Sequence, residues 1–139
     1  MASLLINIDV PDLERAIAFY TTAFELHLSR RFDSGFAELL GAGVPIYLLQ
    51  SPEQTPPFPN ATERRRYTRH WTPIHFDLVV PNLETALSRA LGAGAIQESP
   101  PSKHAYGDLV LLGDPFGHGV CLLQFNAQGY DAITTSTTP

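Results

Sequence analysis

The segment from Ile74 to Ala86, Ile-His-Phe-Asp-Leu-Val-Val-Pro-Asn-Leu-Glu-Thr-Ala, rewrites one the chain has already used seventy residues earlier, from Leu4 to Ala16. Between Val10–Ala16 and Val80–Ala86 five of seven positions are identical, and Asp12 is exchanged for Asn82, one helix-capping side chain for another. A second echo pairs Ile46 to Gln50 with Val120 to Gln124 at an offset of seventy-four. The markers keep the same order in each half, which is the signature of an internal duplication. Copies of about seventy residues are marginal alone, so the 139-residue chain is expected to pack as one structural domain.

Each copy has the same local pattern. Leu4, Ile6, Ile8 and Val10 alternate with Leu5, Asn7 and Asp9, which predicts a strand with unlike faces. Asp12 then caps a helix whose apolar stripe is Leu13, Ala16, Ile17, Tyr20 and Phe24. Three short strands follow, 26–32, 36–40 and 44–50, separated by turns at Asp33-Ser34-Gly35 and Gly41-Ala42-Gly43. In the second copy the stripe is Leu83, Ala86, Leu87, Ala90 and Leu91, with Gly92 as the expected left-handed cap. Strands are expected at 95–99, 108–112 and 120–125, with Asp114-Pro115-Phe116-Gly117 turning between the last two.

The organisation expected is a first βαβββ module at 1–50, a linker at 51–72, a second module at 73–126 and a flexible tail at 127–139, whose Tyr130 has the means to dock. The fold class is α+β. Neither module has a second helix to cover the other side of its sheet. The tandem modules are therefore expected to form a curved, partly closed eight-stranded mixed sheet with helices on the outer side. Its concave interior is expected to carry Leu5, Asn7, Tyr47, His75, Asp77 and Cys121 and to receive a small molecule.

Composition narrows the function. With 44% hydrophobic and 17% charged residues the chain has a globular balance, and no apolar run approaches the roughly 20 residues that span a bilayer. The expectation is no membrane partner. A net charge of −5 disfavours nucleic acid, and the cluster Arg64, Arg65, Arg66 and Arg69 reads as a solvated linker. One cysteine allows no internal disulfide, and no basic stretch precedes the first apolar residues, so a cytoplasmic location is expected.

His75 is read as a ligand-binding donor, a general base or a satisfied core histidine. Asp77 lies two residues on, about 7 Å along a strand and on the same face. These two are the candidate catalytic pair, acting as acid and base on a carbonyl. Cys121 reads as a small buried apolar residue, and Trp71, beside the second copy's first strand, as a flat surface for a ligand. His118 reads as an exposed turn residue. His27, His70 and His104 read as surface residues.

Val10-Pro11-Asp12-Leu13-Glu14-Arg15-Ala16-Ile17-Ala18-Phe19-Tyr20, with Tyr106-Gly107-Asp108 and Asp114-Pro115-Phe116-Gly117-His118, resembles the vicinal oxygen chelate superfamily of glyoxalase I, extradiol dioxygenases and fosfomycin and bleomycin resistance proteins. The resemblance runs from Leu4 to Phe125. It implies a small-molecule ligand and a homodimer. Metal-dependent members hold a divalent ion with His, Glu or occasionally Gln on the first and last strands of each half. Those places fall here on Leu5, Tyr47, His75 and Cys121, of which only His75 is a usual ligand.

Leu5 offers no donor, and Tyr47 and Cys121 must first lose protons with reference pKa values of about 10 and about 8.5. His75 and Cys121, helped by Asp77 or His118, form an alternative reading, a soft-metal site. The expectation carried forward is a small-molecule binding protein like the metal-free bleomycin-resistance branch, with no metal and no cofactor. Its ligand-binding residues would be Leu5, Asn7, Tyr47, Trp71, His75, Asp77 and Cys121. The alternative is a glyoxalase-like lyase or isomerase, or a metal-independent enzyme using His75 and Asp77.

Overall fold

The computed structural model describes residues 1–136, in two compact units, Met1–His70 and the remainder from Trp71. The first contains β1 (Ile6–Val10), α1 (Leu13–Ala23), β2 (His27–Phe32), β3 (Phe36–Leu40) and β4 (Ile46–Gln50). Its sheet runs β1-β4-β3-β2, with β1 parallel to β4 and the other neighbours antiparallel. The second contains β5 (Phe76–Val79), α2 (Leu83–Ala93), β6 (Ile96–Gln97), β7 (Ser102–His104), β8 (Gly107–Gly113) and β9 (Gly119–Phe125). Its order is β5-β9-β8-β6, with β7 also on β8.

The duplication holds down to register. Ile6 lies opposite Ile46 in the first sheet, and their counterparts Phe76 and Val120 lie opposite each other in the second. In both units the chain crosses over through a helix and returns its last strand beside its first, in parallel. Helix α1 packs on β2, β3 and β4, and α2 packs on β9. Ile8, Val10, Ala37, Leu39, Ile46 and Leu48 form the buried face under α1. Phe19, which the expected stripe omitted, is also buried there and meets Tyr20 and Phe24 edge-on at ring separations of 5.2 and 5.5 Å.

Both helices start in the same way. An isolated helix leaves its first four N–H groups without partners. Asp12 accepts from the Arg15 N–H at 3.1 Å, and Asn82 from the Thr85 N–H at 2.9 Å. The first helical residue is satisfied from further along the chain: Gln50 Oε1 accepts from Leu13 N at 2.9 Å, and Gln124 Oε1 from Leu83 N at 2.7 Å. The echo between Gln50 and Gln124 thus has a structural meaning, a bond from the last strand to the helix start.

Several expectations need correction. The single partly closed, eight-stranded sheet is replaced by two open sheets, and among the described residues no ladder joins one to the other. Closure requires a continuous ring of hydrogen-bonded neighbours. Here β1 and β2 end the first sheet, and β5 and β6 end the path of the second. The described strands number nine because the strand expected at 95–99 shortens to β6, and beyond Ser99-Pro100-Pro101, whose prolines have no N–H for a ladder, β7 adds a strand that was not expected.

Helix α2 runs past Gly92 and ends at Gly94, whose φ of 115° supplies the left-handed cap, while Leu91 faces solvent. Gly107 begins β8 at a φ of 150°, and a Cβ there would drive into the Gln124 carbonyl, so Tyr106-Gly107-Asp108 is a backbone requirement.

Arg65 is not a solvated linker residue. It donates to Asp9 Oδ2 at 2.7 Å and to the Pro56 carbonyl at 2.7 Å, while its backbone pairs with Gln54 and Thr55. The Tyr67 hydroxyl donates to the Ser51 carbonyl at 2.6 Å, and burial, with the Asp9 charge, pushes its pKa up to about 12.

After β9 a 3-10 turn, Gly129–Ile133, places the Tyr130 ring 4.8 Å from Phe125 and 5.1 Å from Tyr106. The end of the tail expected to fray, 137–139, lies outside the described residues. No helix among the described residues is long and apolar enough to cross a membrane.

Replacing Gln50 or Gln124 by Leu strands a helix N–H and is expected to cost about 1–2 kcal/mol each. Since the two bonds lie in separate units, the double variant should lose close to the sum. Urea unfolding of the four proteins measures both, and losses under about 0.3 kcal/mol would remove the structural role given to these glutamines.

Candidate functional site

Alternation along β5 and β9 decides which side chains escape α2. Phe76 and Leu78 lie opposite Val120 and Leu122, both buried. The intervening Asp77 lies opposite Cys121, so these two share the other face of the sheet. His75 precedes β5 by one residue and falls on the face of Asp77. His75 Nε2 stands 3.5 Å from Asp77 Oδ1. With Cys121 Sγ, the three offer one donor each within 4.8 Å of one another. His75 and Asp77 are exposed, whereas Cys121 is 6% exposed.

Imidazole nitrogen, carboxylate oxygen and sulfur are a complete three-ligand set for a divalent ion. Bonds of about 2.0–2.3 Å place tetrahedral donors roughly 3.5 Å apart. The His75–Asp77 separation already matches, and exposed side chains have the rotamer freedom to close the rest of the set around an ion.

The expectation of a metal-free protein is therefore overturned. That expectation rested on Leu5, Tyr47, His75 and Cys121, of which only His75 is a usual ligand; the other reading, His75 and Cys121 helped by Asp77 or His118, named the three residues that come together here, His75, Asp77 and Cys121. The parallel register brings Asp77 beside Cys121, which sequence spacing alone does not show.

The first unit's counterparts do something else. Leu5 lies just before β1 and is 54% exposed, and Asn7 on β1 is exposed opposite Tyr47. The Tyr47 hydroxyl donates to Glu38 Oε2 at 2.6 Å. Arg30 grips the same carboxylate with Nε at 2.9 Å and Nη2 at 2.7 Å. The three residues follow in register across β4, β3 and β2.

Glu38 is 6% exposed, and the bonds from Arg30 and Tyr47 hold its carboxyl at about 2, while the bond to Glu38 raises the Tyr47 pKa. Tyr47 is thus kept as a phenol, the wrong form for a metal ligand. Stacked Phe32 and Phe36, with ring centroids 4.1 Å apart, border this ladder.

Glu38 and Arg30 escaped the sequence reading. The available signal was one carboxylate inside the short strand Phe36–Leu40, eight residues from an arginine across a hairpin.

Trp71 is 81% exposed, and His27 and His70 are exposed. His104 is exposed and stacks on Tyr106. His118 is not the idle turn residue expected. Its Nδ1 lies 2.7 Å from Oδ2 of the buried Asp114, whose Oδ1 accepts from the Phe116 and His118 N–H groups at 2.8 Å each. Asp114-Pro115-Phe116-Gly117-His118 is a self-bonded turn that sets β9 against β8.

Residues 5–123 match the family described as Glyoxalase-like domain, and the chain belongs to that family. No curated protein matches it. Among solved structures it is similar to the fosfomycin resistance protein FosX from Listeria monocytogenes, with 17% identity, a TM-score of 0.69 and coverage of 92% of this chain and 96% of that one. A mutant of FosX, complexed with Mn(II) and 1S,2S-dihydroxypropylphosphonic acid, is 18% identical, with a TM-score of 0.67 over 92% of this chain and 94% of that one. A glyoxalase/bleomycin resistance protein/dioxygenase from Nocardioides is 22% identical, with a TM-score of 0.67 over 100% of this chain and 90% of that one. At these identities the likeness establishes the fold.

The Glu38 carboxyl is depressed from 4.5 to about 2, so its ion pair stabilises the fold above about pH 4.5 and is lost as pH falls toward 2. Glu38→Gln is therefore expected to be less stable than the parent at neutral pH, with the gap narrowing over that window. Denaturant unfolding across pH 2–7 tests it; a gap independent of pH would contradict the assignment.

Proposed function

We propose that the chain binds a divalent metal ion through His75, Asp77 and Cys121 and uses that centre to hold a small oxygen-bearing molecule. The observation that carries this reading is the convergence of three different donors within 4.8 Å on the face that α2 leaves uncovered. The FosX mutant complexed with Mn(II) and a dihydroxyphosphonic acid supports it, because a protein of this fold there accompanies both a metal and an oxygen-rich ligand.

Three protein ligands leave a position for a further donor, in the manner of catalytic rather than closed structural sites. A bound ion there supplies Lewis acidity toward a carbonyl, hydroxyl or phosphonyl oxygen. The chain's own contribution is positional. The β5/β9 register fixes Asp77 against Cys121, and the exposed His75 and Asp77 form the side on which a ligand arrives.

A reducing, cytoplasmic setting keeps the Cys121 sulfur available as a ligand. A homodimer fits the family resemblance.

The untagged chain, purified without chelators, is expected to retain close to one equivalent of divalent metal by inductively coupled plasma mass spectrometry. His75→Ala and Asp77→Ala should each lower metal affinity roughly tenfold or more, while the metal-free variants unfold thermally close to the metal-free parent because both side chains are exposed. A parent protein that takes up no divalent ion, or variants that bind as it does, would overturn the proposal.

A further inference from the structure

Resting on the metal centre just described, we infer that the site selects a thiophilic ion of the zinc class over the hard ions manganese and magnesium. The juxtaposition responsible is Cys121 opposite Asp77 in the parallel β5/β9 ladder, with His75 Nε2 3.5 Å from the Asp77 carboxylate.

Donor chemistry decides the preference. Hard ions favour sites built from oxygen, usually six donors for magnesium, and gain little from sulfur. Zinc and cobalt accept a mixed nitrogen, oxygen and sulfur set with four-coordinate geometry. Of the three donors here, two are ones a hard ion uses poorly, and no further carboxylate joins the cluster among the described residues.

Burial reinforces this. Cys121 is 6% exposed between Val120 and Leu122, so its sulfur is held on the sheet while His75 and Asp77 are exposed to solvent. An ion reaching all three donors has to take the sulfur as its inner ligand; the thiol proton leaves to solvent as the metal–sulfur bond forms. An ion avoiding sulfur keeps two exposed donors, an ordinary weak surface site.

The first unit sharpens the contrast. The position equivalent to Cys121 is Tyr47, whose hydroxyl is committed to Glu38, and the position equivalent to His75 is Leu5. The duplicated scaffold therefore offers a sulfur-bearing donor set in one copy and none at the matching positions of the other.

The test uses the full chain, reduced and stripped of metal, with cobalt(II) as the probe. Cobalt is expected to produce a near-ultraviolet sulfur-to-metal charge-transfer band and visible bands of four-coordinate intensity. Zinc should displace it at stoichiometric levels, while manganese and magnesium should bind weaker by roughly two orders of magnitude or more. Cys121→Ser should lose the charge-transfer band and most of the zinc preference.

The parent's spectrum and competition series stand even if that variant folds poorly. Cobalt bound without the band, or displaced as readily by manganese as by zinc, would overturn the inference while leaving metal binding intact. No binding of any ion would overturn both.

Discussion

A glutamine at the end of each unit's last strand holds the first N–H of that unit's helix, and the rest of the architecture depends on this bond. Val10 lies opposite Gln50, so the end of β4 reaches the point where the chain leaves β1 and turns into α1. The same closure recurs where Gln124 meets Leu83. A helix end that would otherwise be left to water is tied to the strand made last, which locks the parallel pairing of first and last strands. That pairing in turn decides which residues of the two strands become neighbours.

Neighbourhood across the parallel ladder is what makes the two units chemically unequal. In the second, the ladder sets a carboxylate beside a sulfur, with an imidazole one step away. In the first, the equivalent row is Asn7, Tyr47, Glu38 and Arg30, and its charges are consumed within it. Glu38 is buried with its carboxylate fully bonded by Arg30 and Tyr47. The first copy has become a self-satisfied ion pair beside stacked aromatics, and the second retains exposed donors. Duplication conserved the frame, and the residues on the face each helix leaves uncovered diverged.

Much of the frame was legible in the residues. The alternation from Leu4 to Val10, the capping Asp12 and Asn82, and the repeated Gln50 and Gln124 identify two strand–helix–strand copies from the residues alone. Local rules also erred locally. Two glycines, Gly92 and Gly94, were available to end α2, and the choice between them depended on how far packing against β9 carried the helix. Asp114 and His118 looked like ordinary turn residues because their mutual bond forms only when the turn closes. Glu38 was invisible as a site because a lone carboxylate in a short strand carries no sign of the arginine that meets it across the hairpin.

Sequence by itself determined the duplication, the strand and helix that open each copy and the face on which His75 and Asp77 fall, because these follow from periodicities of two and 3.6 within a single segment. The tertiary structure alone decided that the two sheets stay open, that Arg65 anchors on Asp9, and that Asp77 stands against Cys121 forty-four residues later. Those outcomes depend on register between distant strands, and register is set by the sum of packing and hydrogen bonding over a whole unit. A donor set split between two strands exists only once that sum has been made.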